Sequence, residues 1–281
     1  MAGFGKRRRD DDDYRPPNRS AVPSETPAPQ RAVCGQRSVA GLGPVRVTGA
    51  AAGSINVGLR SYLLSVYQLM MLGVAMSGAV ALLIISGPES ISDLTDEPLF
   101  PITIFLGVLG LSFFSGAIAK SGSPLLGHLF FWPYCILWGA GLAPMLNYMI
   151  EAGHPDVIAR AFFLAASLFA AATVYGYSTK TDLSGIGCAL VMLCWGLFAA
   201  TIMNCFVFQT SGFGMFLCYA TVIIFTAVTA WETQEIKDMY TDADSRNQTD
   251  AKAIGGAFQL YGSFMMIFSR LLRIFWSVQQ G

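Results

Sequence analysis

The 281-residue chain is predicted to be an all-α membrane protein with seven transmembrane helices, six surrounding a more polar central seventh. Three observations carry this. Hydrophobic residues make up 53% of the chain and charged ones 13%, where an ordinary soluble domain has ~25% charged residues. From Gly185 to Trp231 there is no charged residue, a length that needs two spans. The last apolar run, Ala253 to Trp276, is long enough at ~1.5 Å per residue to cross a ~30 Å hydrocarbon core, yet one side of it is polar.

Residues 1–55 hold six of the thirteen prolines and few large apolar side chains. Such a segment does not bury enough surface to offset the entropy of ordering it, so a disordered cytoplasmic tail is expected ahead of a membrane domain at 56–281. The run Lys6 to Arg9 is followed by Asp10 to Asp13, which cancels much of any attraction to anionic lipid and leaves a solvated tail. A secretory signal is not expected, because acids and prolines, not an apolar core, follow the basic start.

Six strongly apolar segments come next: Ser61 to Ser86, Leu99 to Ala119, Pro124 to Ile150, Ala161 to Tyr177, Gly185 to Phe208 and Gly212 to Trp231. Gln209-Thr210-Ser211-Gly212 is the turn chemistry available to separate the last two. Small residues such as Ser112 with Gly116, and the run Gly139-Ala140-Gly141, let backbones approach closely. Basic residues in short loops stay cytoplasmic. With the N-terminus inside, the inner loops carry Lys120, Lys180, Lys237, Arg246 and Lys252, and the outer loops only Arg160. The first outer loop, Gly87 to Pro98, is acidic, with Glu89, Asp93, Asp96 and Glu97. If the seventh segment crosses, the C-terminus ends outside; if it re-enters, the C-terminus returns inside.

Steps of 100° per residue place Lys252, Gln259, Ser263, Met266 and Arg270 on one stripe of the seventh helix, with Arg273 at its margin. Arginine at mid-bilayer costs roughly 2.5 to 3.5 kcal/mol on insertion scales, so the stripe should face protein or a water-filled cavity. Arg270 and Arg273 either snorkel to the headgroups or pair with a buried acid; no acid lies in the outer half of any span, which favours snorkelling. Glu232 is the first charge after Asp182. If the sixth helix runs on to about Tyr240, this carboxylate lies near the inner boundary at the depth of the seventh helix. There it is either a proton-responsive switch or an ordinary interfacial charge paired with a lysine.

Catalysis finds no support. A serine intramembrane protease needs a histidine after its nucleophile, and none follows His154; no span contains the two aspartates of an aspartyl protease. Phosphate-loop, dinucleotide and zinc-helix motifs are missing. His128 and His154 share no metal-ligand spacing, so a hydrogen-bonded structural role is expected, and the six cysteines lack paired spacing and read as free thiols. No cofactor or metal site is expected.

Three stretches carry a resemblance. Tyr175-Gly-Tyr-Ser-Thr-Lys180-Thr-Asp182-Leu-Ser-Gly185 resembles the loop signature of the Bax inhibitor-1 family, bacterial branch. Trp231-Glu232-Thr233-Gln234 with Ile236 is similar to that family's sixth-helix end, and Leu260-Tyr261-Gly262-Ser263-Phe264 to Phe275 is similar to its seventh helix. Arg60 before Tyr62 and Leu63 resembles the entry to its first. The resemblance covers roughly Gly58 to Trp276. It implies a bacterial inner-membrane protein with six helices around a polar seventh, and a pH-sensitive calcium leak in which two aspartates on helices six and seven share a proton. Glu232 stands at the first of those positions and Ser263 at the second. A carboxylate and a hydroxyl do not form a proton-sharing pair. The resemblance also implies an alternative role, as an adaptor that modulates a membrane-bound AAA protease. Glu232, Ser263, Gln259 and Arg270 are therefore the candidate gate and ion path, and Tyr175, Lys180 and Asp182 the family motif loop. A secondary transporter is disfavoured by the lack of inverted repeats and interrupted helices.

Overall fold

The computed structural model describes residues 57–88, 97 and 99–280, with the main chain alone for 115–121. The expected tail at 1–55 and most of the acidic loop Gly87 to Pro98 lie outside the described residues. Among the described residues seven helices follow one another: α1 (Val57–Ile85), α2 (Phe100–Ser121), α3 (Pro124–Glu151), α4 (Pro155–Ser178), α5 (Ser184–Met203), α6 (Ser211–Met239) and α7 (Arg246–Gln280). No strand forms among the described residues. Five helices (α1, α3, α4, α6, and α5 with the π turn that extends it) are long and apolar enough to cross a membrane.

Local chemistry sets the helix ends. Proline occupies the first turn of α2, α3 and α4, where its fixed φ suits the helix and its missing N–H costs nothing. This explains why α4 starts at Pro155, six residues before the expected Ala161. Its first turns hold Asp156 and Arg160, paired at 2.8 Å on the helix surface. After α5, Asn204–Phe208 winds as a π turn, and Gln209 takes a left-handed conformation at φ 48°. The Asn204 carbonyl accepts the Gln209 N–H at 2.8 Å, which closes α5 at the turn expected from sequence.

In hydrocarbon every polar group needs an internal partner. The hydroxyls of α6 find theirs one turn back: Thr221, Thr226, Thr229 and Thr233 donate to the carbonyls of Leu217, Val222, Phe225 and Thr229 at 2.6 to 2.8 Å. Outside, the bundle presents large apolar side chains, among them Phe163 at 70% exposure and Ile223 at 71%. That surface matches lipid, not water.

The seventh helix is the hub. Tyr261, Phe258, Leu260, Ile267 and Leu272 are all buried, and α7 packs against α1, α2, α3, α4 and α6. Phe264 meets Phe162 and Phe169 of α4, while Tyr134 of α3 stacks on Phe258 at 4.3 Å. Five helices pack directly on the seventh, and α5 stands across a cavity from it, leaning on α6 and burying only Gly187 and Leu190. The nearly uniform apolar surface of α5 explains this, because it offers no polar group that needs shelter. The seventh helix is also continuous over 35 residues, ~52 Å at ~1.5 Å each, so a re-entrant turn does not form.

Gly139 shows how closely helices approach. A Cβ there would sit 2.5 Å from the Ser77 carbonyl of α1, so only glycine allows this crossing of α1 and α3. Beside it the Ser77 hydroxyl lies 2.9 Å from the Gly73 carbonyl, 3.0 Å from that of Cys135 and 2.5 Å from the Tyr261 hydroxyl. Ser77 has one proton to give, so its proton goes to a carbonyl and Tyr261 donates to Ser77. That network ties α1, α3 and the hub together. His128 differs from expectation: its Nδ1 is buried without a hydrogen-bond partner among the described residues, and its ring stacks on Trp132.

Candidate functional site

The polar stripe of α7 faces a cavity of about 750 Å³ bounded by α2, α3, α5 and α6. Gln259, Ser263, Met266, Arg270 and Arg273 all line it, as the 100° projection requires. Lys252 does not. It turns to the loop between α6 and α7, where its ammonium reaches Asp244 at 2.5 Å and the Met239 carbonyl at 2.9 Å. The stripe therefore splits in two, because Lys252 lies beyond the bundle wall and finds an acid in the loop.

Among the described residues Glu232 is the only acid lining the cavity. α6 continues to Met239, so the residue lies within the helix and not in a loop. Its Oε2 accepts a hydrogen bond from Ser263 Oγ at 2.7 Å. Ser263 is 3% exposed, so this contact is a link between the hub and α6 and not a surface pair. The alternative of an interfacial acid paired with a lysine is not what forms: Lys252 is engaged by Asp244, and Lys237 donates to the Tyr177 carbonyl at 3.0 Å. Tyr134 of α3, Cys194 of α5 and Glu235 of α6 are the titratable groups that act on Glu232 or feel its charge.

The motif loop is placed against the end of α6, close to the carboxylate. Gln234 accepts the Leu183 N–H at 2.8 Å and donates to the Thr181 carbonyl at 3.0 Å. Asp182 accepts the Ser184 N–H at 2.9 Å, an Asx turn that leads into α5. Lys237 also lies over the Tyr177 ring at 4.9 Å. At Gly176 the α4 backbone comes so near α6 that a Cβ would collide with the Ala230 carbonyl. Tyr175 and Lys180 remain exposed. The loop motif is thus a clamp across the ends of α4, α5 and α6, and its chemistry-bearing residues do not reach the cavity.

At the other end of the cavity stand Arg270 and Arg273. Among the described residues, neither the buried Arg270 Nε nor the buried Gln259 Oε1 has a hydrogen-bond partner. Among the described residues no acid pairs with either arginine; the polar neighbour of Arg270 is Cys218 of α6. One turn past Arg273, Trp276 meets Tyr148 and His154, the aromatic arrangement of a membrane interface.

Sequence reasoning missed the remaining walls. Phe105 stacks on Phe198 at 5.8 Å and Phe113 tilts against Trp195 at 6.1 Å, closing the gap between α2 and α5. In a chain this aromatic, nothing in the sequence marks those four rings. Ser112, read only as a small packing residue, lies 3.2 Å from the Tyr134 hydroxyl on the cavity wall.

A helical bundle with an apolar exterior, five helices able to cross a bilayer and a half-buried carboxylate beside its hub is a multi-pass membrane protein. The family model described as "Inhibitor of apoptosis-promoting Bax1" matches residues 59–280. The chain belongs to that family, Bax inhibitor-1. It is 34% identical over 225 residues to the uncharacterised protein RP147 of Rickettsia prowazekii, covering 78% of this chain and 91% of that one. It is 31% identical over 222 residues to the inner membrane protein YbhL of Escherichia coli, covering 78% and 93%. An uncharacterised membrane protein of Streptococcus pyogenes is 28% identical over 225 residues, covering 78% and 94%.

Proposed function

We propose that this chain is a pH-responsive leak for calcium or similar cations across a bacterial inner membrane, with Glu232 as its ionisable gate residue. The observation that carries the reading is the 2.7 Å hydrogen bond from Ser263 to Glu232 in the wall of the cavity. An ionised carboxylate only accepts hydrogen bonds, and a protonated one also donates. A change of protonation at Glu232 therefore alters both the charge in the cavity and the bond joining α6 to α7, the kind of local event that biases one packing against another.

Calcium is held by six to eight oxygens. Glu232, Ser263 and Gln259 supply fewer, which suits passage over storage. Arg270 and Arg273 repel cations at the far end, so the arrangement described is the closed one. No residue is assigned a catalytic role. The inner-membrane location is supported by the name of the YbhL relative. The orientation, N-terminus inside, rests on the basic residues Lys180, Lys237, Arg246 and Lys252 at the Glu232 end.

The test is calcium flux into proteoliposomes over a pH series, with Glu232→Gln beside the natural chain. A flux that varies with pH in the natural chain and is flat in the variant is expected. Identical flux in both at every pH, or none in either, ends the reading. If flux is absent and deletion of residues 1–55 alters the turnover of membrane substrates, the AAA-protease adaptor takes its place.

A further inference from the structure

The arginine half of the cavity has properties that a cation path does not use. Two guanidinium groups sit there with no acid among the described residues to pair with them, and the Nε of one is buried without an acceptor. Buried polar groups are hydrogen-bonded with few exceptions, and a guanidinium is shaped to hold a phosphate by two parallel bonds. The space beside them is largely apolar, walled by Phe105, Trp138 and Phe198, and Phe113 and Trp195 continue that wall toward Glu232.

We propose that this cavity binds an anionic phospholipid, its phosphate on Arg270 and Arg273 and one acyl chain along the aromatic slot toward Gln259. The dimensions fit. Gln259 and Arg273 both line the cavity and stand fourteen residues apart, which is ~21 Å of helix. One leaflet of a bilayer is ~15 Å of hydrocarbon, half of a ~30 Å core, so an acyl chain is accommodated whole. A volume of about 750 Å³ lies inside the ~300 to 1,000 Å³ range of small-molecule sites.

Access fits as well. The seam between α2 and α5 is held by ring contacts and not by close backbone packing, and its rings Phe105, Phe113 and Trp195 are 45%, 63% and 52% exposed on the lipid face. A chain entering from the bilayer parts side chains only. Trp276 with Tyr148 and His154 marks headgroup depth one turn beyond Arg273, so the phosphate stays at the level where lipid already holds it. An anionic lipid is selected over a zwitterionic one because the latter brings a cation of its own toward two fixed positive charges.

The experiment is native mass spectrometry of the delipidated full chain in detergent, titrated with phosphatidylglycerol or phosphatidylcholine. The first phosphatidylglycerol is expected to bind at least tenfold more tightly than the first phosphatidylcholine. In the double variant Arg270→Gln with Arg273→Gln that preference disappears. Val108→Trp, which fills the slot and leaves both arginines, weakens the first phosphatidylglycerol at least tenfold; circular dichroism confirms that each variant is folded. Equal affinity for the two lipids, a preference that survives the double substitution, or a folded Val108→Trp that binds as before would each overturn the proposal. Inorganic phosphate is the second arm. Failure of millimolar phosphate to compete supports a lipid, and full competition makes this a free-anion site and refutes it.

Discussion

Replacing Ser263 by alanine isolates the bond on which the gate reading turns. The substitution removes one oxygen from a side chain that is 3% exposed and leaves the neighbouring Phe264, Tyr261 and Leu260 in place, so the packing of α7 is retained. It deprives Glu232 of the donor at 2.7 Å. A hydrogen bond to a charged group contributes about 1.5 to 3 kcal/mol, and each ~1.4 kcal/mol is a factor of ten in an equilibrium. If that bond holds the closed packing of α6 against α7, the open fraction rises about ten- to a hundredfold, and the calcium leak into proteoliposomes rises with it. The measurement is the initial rate of dye response at matched protein density, with thermal unfolding run alongside. A leak within about twofold of the natural chain, or a reduced one, with unaltered Tm, refutes the latch.

Three further outcomes are expected. Ser263→Asp places a second acid beside Glu232, so the leak should titrate in two coupled steps across a pH series; a profile identical to that of the natural chain counts against the pair being close. Gln234→Ala removes two hydrogen bonds to the motif loop, together ~1 to 3 kcal/mol, and amide exchange at residues 179–183 should speed up about five- to a hundredfold while the hub is unaffected. Ser77→Ala should lower Tm more than Tyr261→Phe. The first leaves a buried tyrosine hydroxyl without its partner at ~1 to 3 kcal/mol, and the second forfeits only one net hydrogen bond of ~1 kcal/mol; equal losses would show that the Tyr261 proton goes elsewhere.

Much of this architecture is legible in the chain because hydrocarbon enforces a simple rule. Apolar length located the helices, and a stripe of Gln259, Ser263 and Arg270 in an otherwise apolar rod identified the hub and the face it shelters. A sixth helix running to about Tyr240 sets the depth of Glu232, and the pairing of that residue with Ser263 rests on the family resemblance. What the sequence hid has a physical cause in each case. Lys252 shares the stripe's angle but not its depth, and an angular projection carries no depth. The starts of α4 and α7 at Pro155 and Arg246 lie in polar residues beyond the bilayer, where hydropathy is silent. The position of α5 depends on which of several uniformly apolar surfaces packs against which, and its composition does not discriminate. Phe105, Phe198, Phe113 and Trp195 are four rings among many, and only their spatial pairing distinguishes them.

The weak attachment of α5 makes it the wall of the chamber with the least bracing. It packs closely on α6 and meets α2 through ring contacts, one tip is clamped by Gln234 through the loop, and the other ends in a π turn at Asn204–Phe208. A thicker or thinner bilayer, or lateral pressure within it, therefore deforms this element before it moves the hub. On the proposed reading, the chamber's width responds to the mechanical state of the surrounding lipid as well as to the protonation of one carboxylate.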